Sequence, residues 1–102
     1  MIKKFAFRLD QVLRHRANIL EIRERALAEV EAQLIRERKV LADLLALRGE
    51  MLEEMARMQS GPFASMEREL YQQYLDWIMS EEEKERRLIR EMEEVRNAKR
   101  TE

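Results

Sequence analysis

The sequence has 102 residues, 40% of them charged, with two glycines, one proline, no cysteine and a formal net charge of −1. This composition excludes a disulfide scaffold and a thiolate metal site, and it supplies no whole-chain field to hold nucleic acid. Apolar residues make up 45% but stand mostly singly among Glu and Arg, the pattern of long amphipathic helices rather than of a thick core. The expected fold is all-α, two long helices forming one antiparallel coiled-coil hairpin whose core is a thin seam.

The amino end is a basic arm. Among residues 1–20, Lys3, Lys4, Arg8, Arg14 and Arg16 are opposed only by Asp10, about +4 in all. Those charges come too early for the apolar run of a secretory leader, and no window reaches the roughly 18 apolar residues of a membrane span. With no cysteine either, a cytoplasmic protein is expected. Residues 41–80 carry the opposite sign, with Asp43, Glu50, Glu53, Glu54, Glu67, Glu69 and Asp76 against Arg48, Arg57 and Arg68.

From about residue 9 to 59 there is no proline and one glycine, Gly49, among strong helix formers, which predicts a first helix roughly 75 Å long at about 1.5 Å per residue. Its apolar residues repeat every seven positions in three rows. The first is Leu13, Leu20, Leu27, Leu34 and Leu41. Beside it run Val12, Ile19, Ala26, Gln33, Val40 and Leu47. The third, Leu9, Arg16, Arg23, Val30, Glu37, Leu44, Met51 and Met58, completes the seam.

Ser60-Gly61-Pro62 is the one strong breaker, so the turn is placed at 60–63. Ser65 then serves as N-cap of a second helix, about residues 65–100, with Glu67 and Glu69 in its first turn, where the helix dipole favours negative charge. Its apolar stripe reads Met66, Leu70, Tyr74, Trp77, Ile78, Leu88, Ile89, Met92, Val95 and Ala98, interrupted by the polar run 80–87.

Folding about residue 61 pairs position i with roughly 122 − i, since short connections make antiparallel neighbours. Tyr74 then falls near Arg48, Ile78 near Leu44, Leu88 near Leu34 and Val95 near Leu27, while Glu85 meets Glu37. In this register helix 2 reaches only to about Leu20. Residues 5–19, with Phe5, Phe7, Leu9, Val12, Leu13 and Ile19, are left with no partner in the chain. Such a row is seldom left in water, so the natural helix 2 is expected to be longer or another molecule to cover the row, and this short form is expected to self-associate.

Little here can do chemistry. His15 is the lone histidine and belongs to no metal-ligand set, and there is no Gly-rich phosphate loop and no nucleophile with its base. Carboxylates are many, but a two-helix rod lacks the concave pocket that catalysis needs. The chain is read as non-enzymatic, with no cofactor and no metal. The aromatic cluster of Tyr71, Tyr74 and Trp77 is more than a two-helix seam can bury, and surplus aromatics are common material of binding hot spots.

Two stretches carry a resemblance. Phe5-Ala6-Phe7-Arg8-Leu9-Asp10-Gln11-Val12-Leu13-Arg14-His15-Arg16, followed by Ala26-Leu27-Ala28, resembles the opening of the FliJ family of flagellar type III export proteins. Tyr71-Gln72-Gln73-Tyr74-Leu75-Asp76-Trp77-Ile78 is similar to the aromatic stretch after that family's turn. The resemblance implies an antiparallel two-helix stalk like the central stalk of rotary ATPases and the stalk proteins of injectisomes. Its implied partners are the hexameric flagellar export ATPase, the cytoplasmic domain of the export gate and substrate chaperones, which would hold it peripherally at the inner membrane. The ring-binding residues would be Phe5, Phe7, Arg8, Leu9, Leu13 and Arg16, and the gate-binding residues Tyr71, Tyr74, Leu75 and Ile78. Tyr74 and Ile78 match the family's gate surface in type, whereas Glu81 and Glu85 depart from its small or neutral residues. The alternatives are an injectisome-type secretion stalk and a generic dimerising coiled coil.

Overall fold

The computed structural model describes residues 2–58 and 64–102. Helix α1 spans Ile2–Arg57 and α2 spans Ala64–Arg100, and the two lie against each other in a rod of 94 × 15 × 15 Å. This is the all-α helical hairpin that the repeats predict. The turn assigned to 60–63 lies outside the described residues.

Both helices start earlier than the sequence suggested. Nothing between Ile2 and Leu9 stops a helix, so α1 begins at Ile2, with Lys3 and Lys4 rather than an acid in its first turn. Basic charge there opposes the helix dipole and favours fraying of this end. Helix α2 begins at Ala64, which puts Ser65 inside the helix rather than at its cap, with Glu67 still in the first turn.

On α1 the seam follows two of the three rows. Leu27, Leu34, Leu41 and Arg48 alternate with Val30, Glu37, Leu44 and Met51, and all are buried or partly buried. Leu34 is enclosed, packed with Ile89 and Met92 and flanked by Val30 and Leu41. On α2 the seam is not the expected stripe. Tyr71, Leu75, Ile78, Glu82, Glu85, Ile89 and Met92, at spacings of three and four, face α1, while Leu70, Trp77 and Val95 stay exposed. The exposed stripe through Leu70, Tyr74 and Trp77 is displaced from the seam stripe by one residue, about 100° around the helix. The enclosed apolar members, Leu75, Ile78, Ile89 and Met92, are the branched and flexible side chains that fill the shallow holes between α1 leucines, while the bulkier Trp77 ring stays on the flank.

The register differs in the same way. Glu85 does lie beside Glu37, but Arg48 pairs with Glu82 rather than lying near Tyr74, and Leu34 packs with Ile89 and Met92. Arg38 pairs with Glu93 at 3.5 Å and Arg100 with Glu31 at 3.0 Å. Helix α2 therefore sits about one turn further along α1 than a fold about residue 61 gives. That slide places aliphatic side chains opposite Leu34 and gives three arginines a carboxylate across the interface.

The enclosed apolar side chains are few: Leu34, Leu75, Ile78, Ile89 and Met92 among the described residues. At about 1.5–3 kcal/mol each, they hold a narrow seam rather than a globular core. Helix α1 is also braced along its surface by Arg14–Asp10, Arg25–Glu21 and Lys39–Asp43 pairs, each worth a few tenths of a kcal/mol.

Candidate protein-binding surfaces

Three surfaces emerge from this geometry. The first is the amino-terminal part of α1. Helix α2 and the residues after it reach Leu20, Arg23, Glu24 and Leu27 through Lys99, Arg100 and Glu102, and no further. Residues 2–19 therefore stand alone as a helix of about 27 Å. Leu9, Leu13 and Leu20 continue the seam rows and Phe5, Val12 and Ile19 the neighbouring row, all exposed; Phe5 is 70% and Phe7 64% open to solvent. Arg8 and Arg16 are exposed beside them, and Arg14 is held by Asp10 at 3.0 Å. The six residues proposed from the resemblance for ring binding, Phe5, Phe7, Arg8, Leu9, Leu13 and Arg16, thus lie together on this bare segment. Phe7 stands on a different face from Leu9 and Leu13, because a two-residue step turns the helix by about 200°.

The two flanks of the hairpin form the other surfaces, and they differ. One carries ion pairs: Arg100 Nη2 donates to Glu31 Oε1, Arg38 lies 3.5 Å from Glu93, and Ile35 is exposed among them. The other is apolar toward the tip and carries the Lys84–Glu81 pair, at 3.3 Å, further along. Val40, Leu44 and Leu88 line a groove with Glu81, Lys84 and Glu85, and nearer the tip Met51, Leu70, Tyr71 and Tyr74 line a second one that is almost wholly apolar. Tyr74 stacks on Trp77 at 5.8 Å with ring planes 16° apart, so each ring shields one face of the other.

The four residues proposed for gate binding divide. Tyr74 is 44% exposed and Tyr71 partly so, but Ile78 is fully enclosed and Leu75 nearly so. The last two are seam residues with no surface to offer while the hairpin is closed. Sequence reasoning placed Ile78 with Tyr74 on one face; the structure turns Ile78 toward α1 and leaves Tyr74 on the flank.

Two acidic residues sit in the seam, and the enclosure of Glu82 went unread in the sequence. Glu82 is 2% exposed; its Oε1 lies 3.3 Å from Arg48 Nε but is not aligned for a hydrogen bond. Glu85 hydrogen-bonds with Glu37 across the helices, and that bond, partial burial and the negative charges of Glu37 and Glu81 push its carboxyl up to about 7. The meeting of Glu85 and Glu37 was visible in the sequence as a like-charged juxtaposition.

Among the described residues no three His, Cys, Asp or Glu side chains gather as a metal would require, and no helix is long and apolar enough to cross a membrane. No family model, curated protein or solved structure matches the chain. The likeness to the FliJ family therefore rests on the two quoted stretches alone.

Proposed function

We propose that this chain is a non-enzymatic stalk of the flagellar type III export apparatus, a rod that links the hexameric export ATPase to the export gate and meets substrate chaperones. The observation that carries this reading is the bare, basic segment 2–19, an amphipathic helix displayed at one end of a stiff hairpin. A ring with a charged mouth and an apolar lining would receive such an end, charge steering the approach and apolar burial holding the complex. The quoted motifs suggest which ring, and the exposed apolar and basic residues of segment 2–19 support a contact at this end. Gate contact falls to Tyr71 and Tyr74 on the open flank, with Leu75 and Ile78 supporting them from the seam. In this role the chain works in the cytoplasm, held at the inner membrane through its partners.

The test is stimulation of the purified cognate export ATPase by the purified chain. Arg8→Glu with Arg16→Glu should reduce stimulation, with a loss that shrinks as salt rises, while circular dichroism shows the helices intact. Tyr74→Ala should spare stimulation and weaken gate binding by about 1–3 kcal/mol, as at a moderate hot spot. A wild-type chain that neither binds nor stimulates the ATPase would leave the generic dimerising coiled coil as the better reading, and stimulation of an injectisome ATPase alone would move the assignment to that system.

A further inference from the structure

The seam uses two of the three apolar rows of α1. The third runs along the open flank from Val12 through Ile19, Ala26, Gln33 and Val40 to Leu47; α2 covers it only at its edge, where Val40 borders Leu88 and where Ala26 and Leu47 are partly buried. Val12, Ile19 and Val40 are 48%, 36% and 44% exposed. The row crosses from the bare segment into the hairpin without a break, so its exposure does not depend on where α2 ends.

We propose that two copies of the chain pair antiparallel about a two-fold axis along this row, each laying its bare amino-terminal helix in the open grooves of the other's hairpin. The row is complementary to its own reverse: Val12 meets Leu47, Ile19 meets Val40 and Ala26 meets Gln33, one register for all three pairs. In that register the axis passes near residue 29, the middle of Ile2–Arg57, so the two α1 helices overlap over their whole length. A two-fold interface requires this kind of reciprocity.

The neighbouring positions fit the same register. On the side facing α2, Leu9 arrives at Met51, in the apolar groove with Leu70 and Tyr74, and Arg16 arrives at Leu44, in the groove of Glu81, Lys84 and Glu85, where Lys84 pairs with Glu81 at 3.3 Å and the two carboxylates outnumber the one ammonium. Arg23 meets Glu37. On the far side Arg8 meets Glu50 and His15 meets Asp43. The one like-charged encounter, Glu29 with its own symmetry mate, has Arg25 a turn away. At larger scale the basic arm of one copy lies on the acidic residues 41–80 of the other. A parallel pair would set basic arm against basic arm, which selects the antiparallel arrangement.

The pairing is independent of the export reading. It describes what covers the bare helix when no other protein does, so an ATPase assay can fail without touching it, and the reverse. The absence of cysteine makes the register directly readable. Ile19→Cys and Val40→Cys chains, each otherwise wild type, are mixed in a glutathione redox buffer and the cross-linked products identified by mass. The mixed 19–40 disulfide is expected to dominate, because bonded Cβ atoms must approach within about 4.5 Å. Sedimentation equilibrium of the wild-type chain should show dimers. Arg16→Glu should weaken them tenfold or more with helicity unchanged, and adding Glu81→Arg and Glu85→Arg to that variant should restore them. A 19–19 disulfide as the main product, a chain that stays monomeric at high concentration, or Arg16→Glu dimers as tight as wild type would overturn the proposal.

Discussion

Residues 2–19 and 26–57 of α1 carry the same seven-residue repeat, yet one is open to solvent and the other forms half of a seam. Leu13 and Leu34 occupy the same row three repeats apart; Leu13 is 56% exposed and Leu34 1%. The difference lies in what stands opposite, not in the residues themselves. A heptad repeat specifies a face that can be buried, and only a second helix decides whether it is. The bare segment is helical because it extends a helix already nucleated by the hairpin, since an isolated stretch of that length is marginal in water.

The sharpest test of this contrast is to make the same change on both sides. Leu34→Ala should destabilise the hairpin by about 3–5 kcal/mol in chemical denaturation, because it opens a cavity beside Ile89 and Met92. Leu13→Ala should change the same midpoint by less than about 0.5 kcal/mol. Comparable losses at the two sites would mean that the bare segment is covered in solution and that the comparison describes only the free monomer; a dilution series would show it.

Next in size is Arg48→Ala, which strips the cation from the enclosed Glu82 carboxylate. Leaving such a charge unpaired costs about 3 kcal/mol, whereas Arg48→Leu combined with Glu82→Leu should be neutral or stabilising. The exposed Arg14–Asp10 pair of the bare segment makes the matching control: Arg14→Ala should lower helicity slightly without moving the unfolding midpoint.

The Glu37–Glu85 contact gives the hairpin a pH dependence that the bare segment lacks. Glu85 is held near 7 in the folded chain and returns to the ordinary carboxyl value of 4.5 on unfolding, so the folded state binds the extra proton between those values. Its contribution to stability is full below about 4.5 and is lost as pH rises through about 7. Allowing for the water that reaches this partly buried site, the change is on the order of 1 kcal/mol. Thermal unfolding of wild type against Glu85→Gln across this window should show a slope in the first and not in the second. Gly49→Ala acts in the opposite direction. Gly49 is exposed in mid-helix with nothing within 4 Å of an added methyl group, so the change should stabilise the hairpin by about 0.5–1 kcal/mol.

Much of the fold was legible because α1 offers one reading. Its leucine row and, from Val30 on, the row ending at Met58 became seam, although the row from Val12 to Leu47, with Gln33 its single polar residue, is as apolar. Helix α2 offers two stripes of similar weight, and hydrophobicity ranks the wrong one first. Trp77, Tyr74 and Leu70 offer more apolar area than Leu75 and Ile78, but the seam encloses Leu75 and Ile78 and leaves both of those rings on the flank. The same error misplaced Ile78 in the candidate site. The bare segment, by contrast, followed from helix lengths alone, and a register error of one turn barely shifts where it begins. The open flank was present in the sequence as a third row, absorbed into a single broad stripe that one opposing helix is too narrow to cover.

The two ends of the hairpin differ in how much chain they must gather. Met51 and Tyr71 meet at the tip across about twenty residues, whereas Glu31 and Arg100 are 69 residues apart. Closure entropy rises by only about 0.6 kcal/mol per doubling of the loop, but it falls wholly on the far pair unless the near ones form first. Assembly therefore runs as a zipper from the tip outward, each layer shortening the loop that the next must close. Tension applied to α2 through its carboxyl end would open the layers one at a time, beginning with Arg100, at a force set by a single layer rather than by the whole seam.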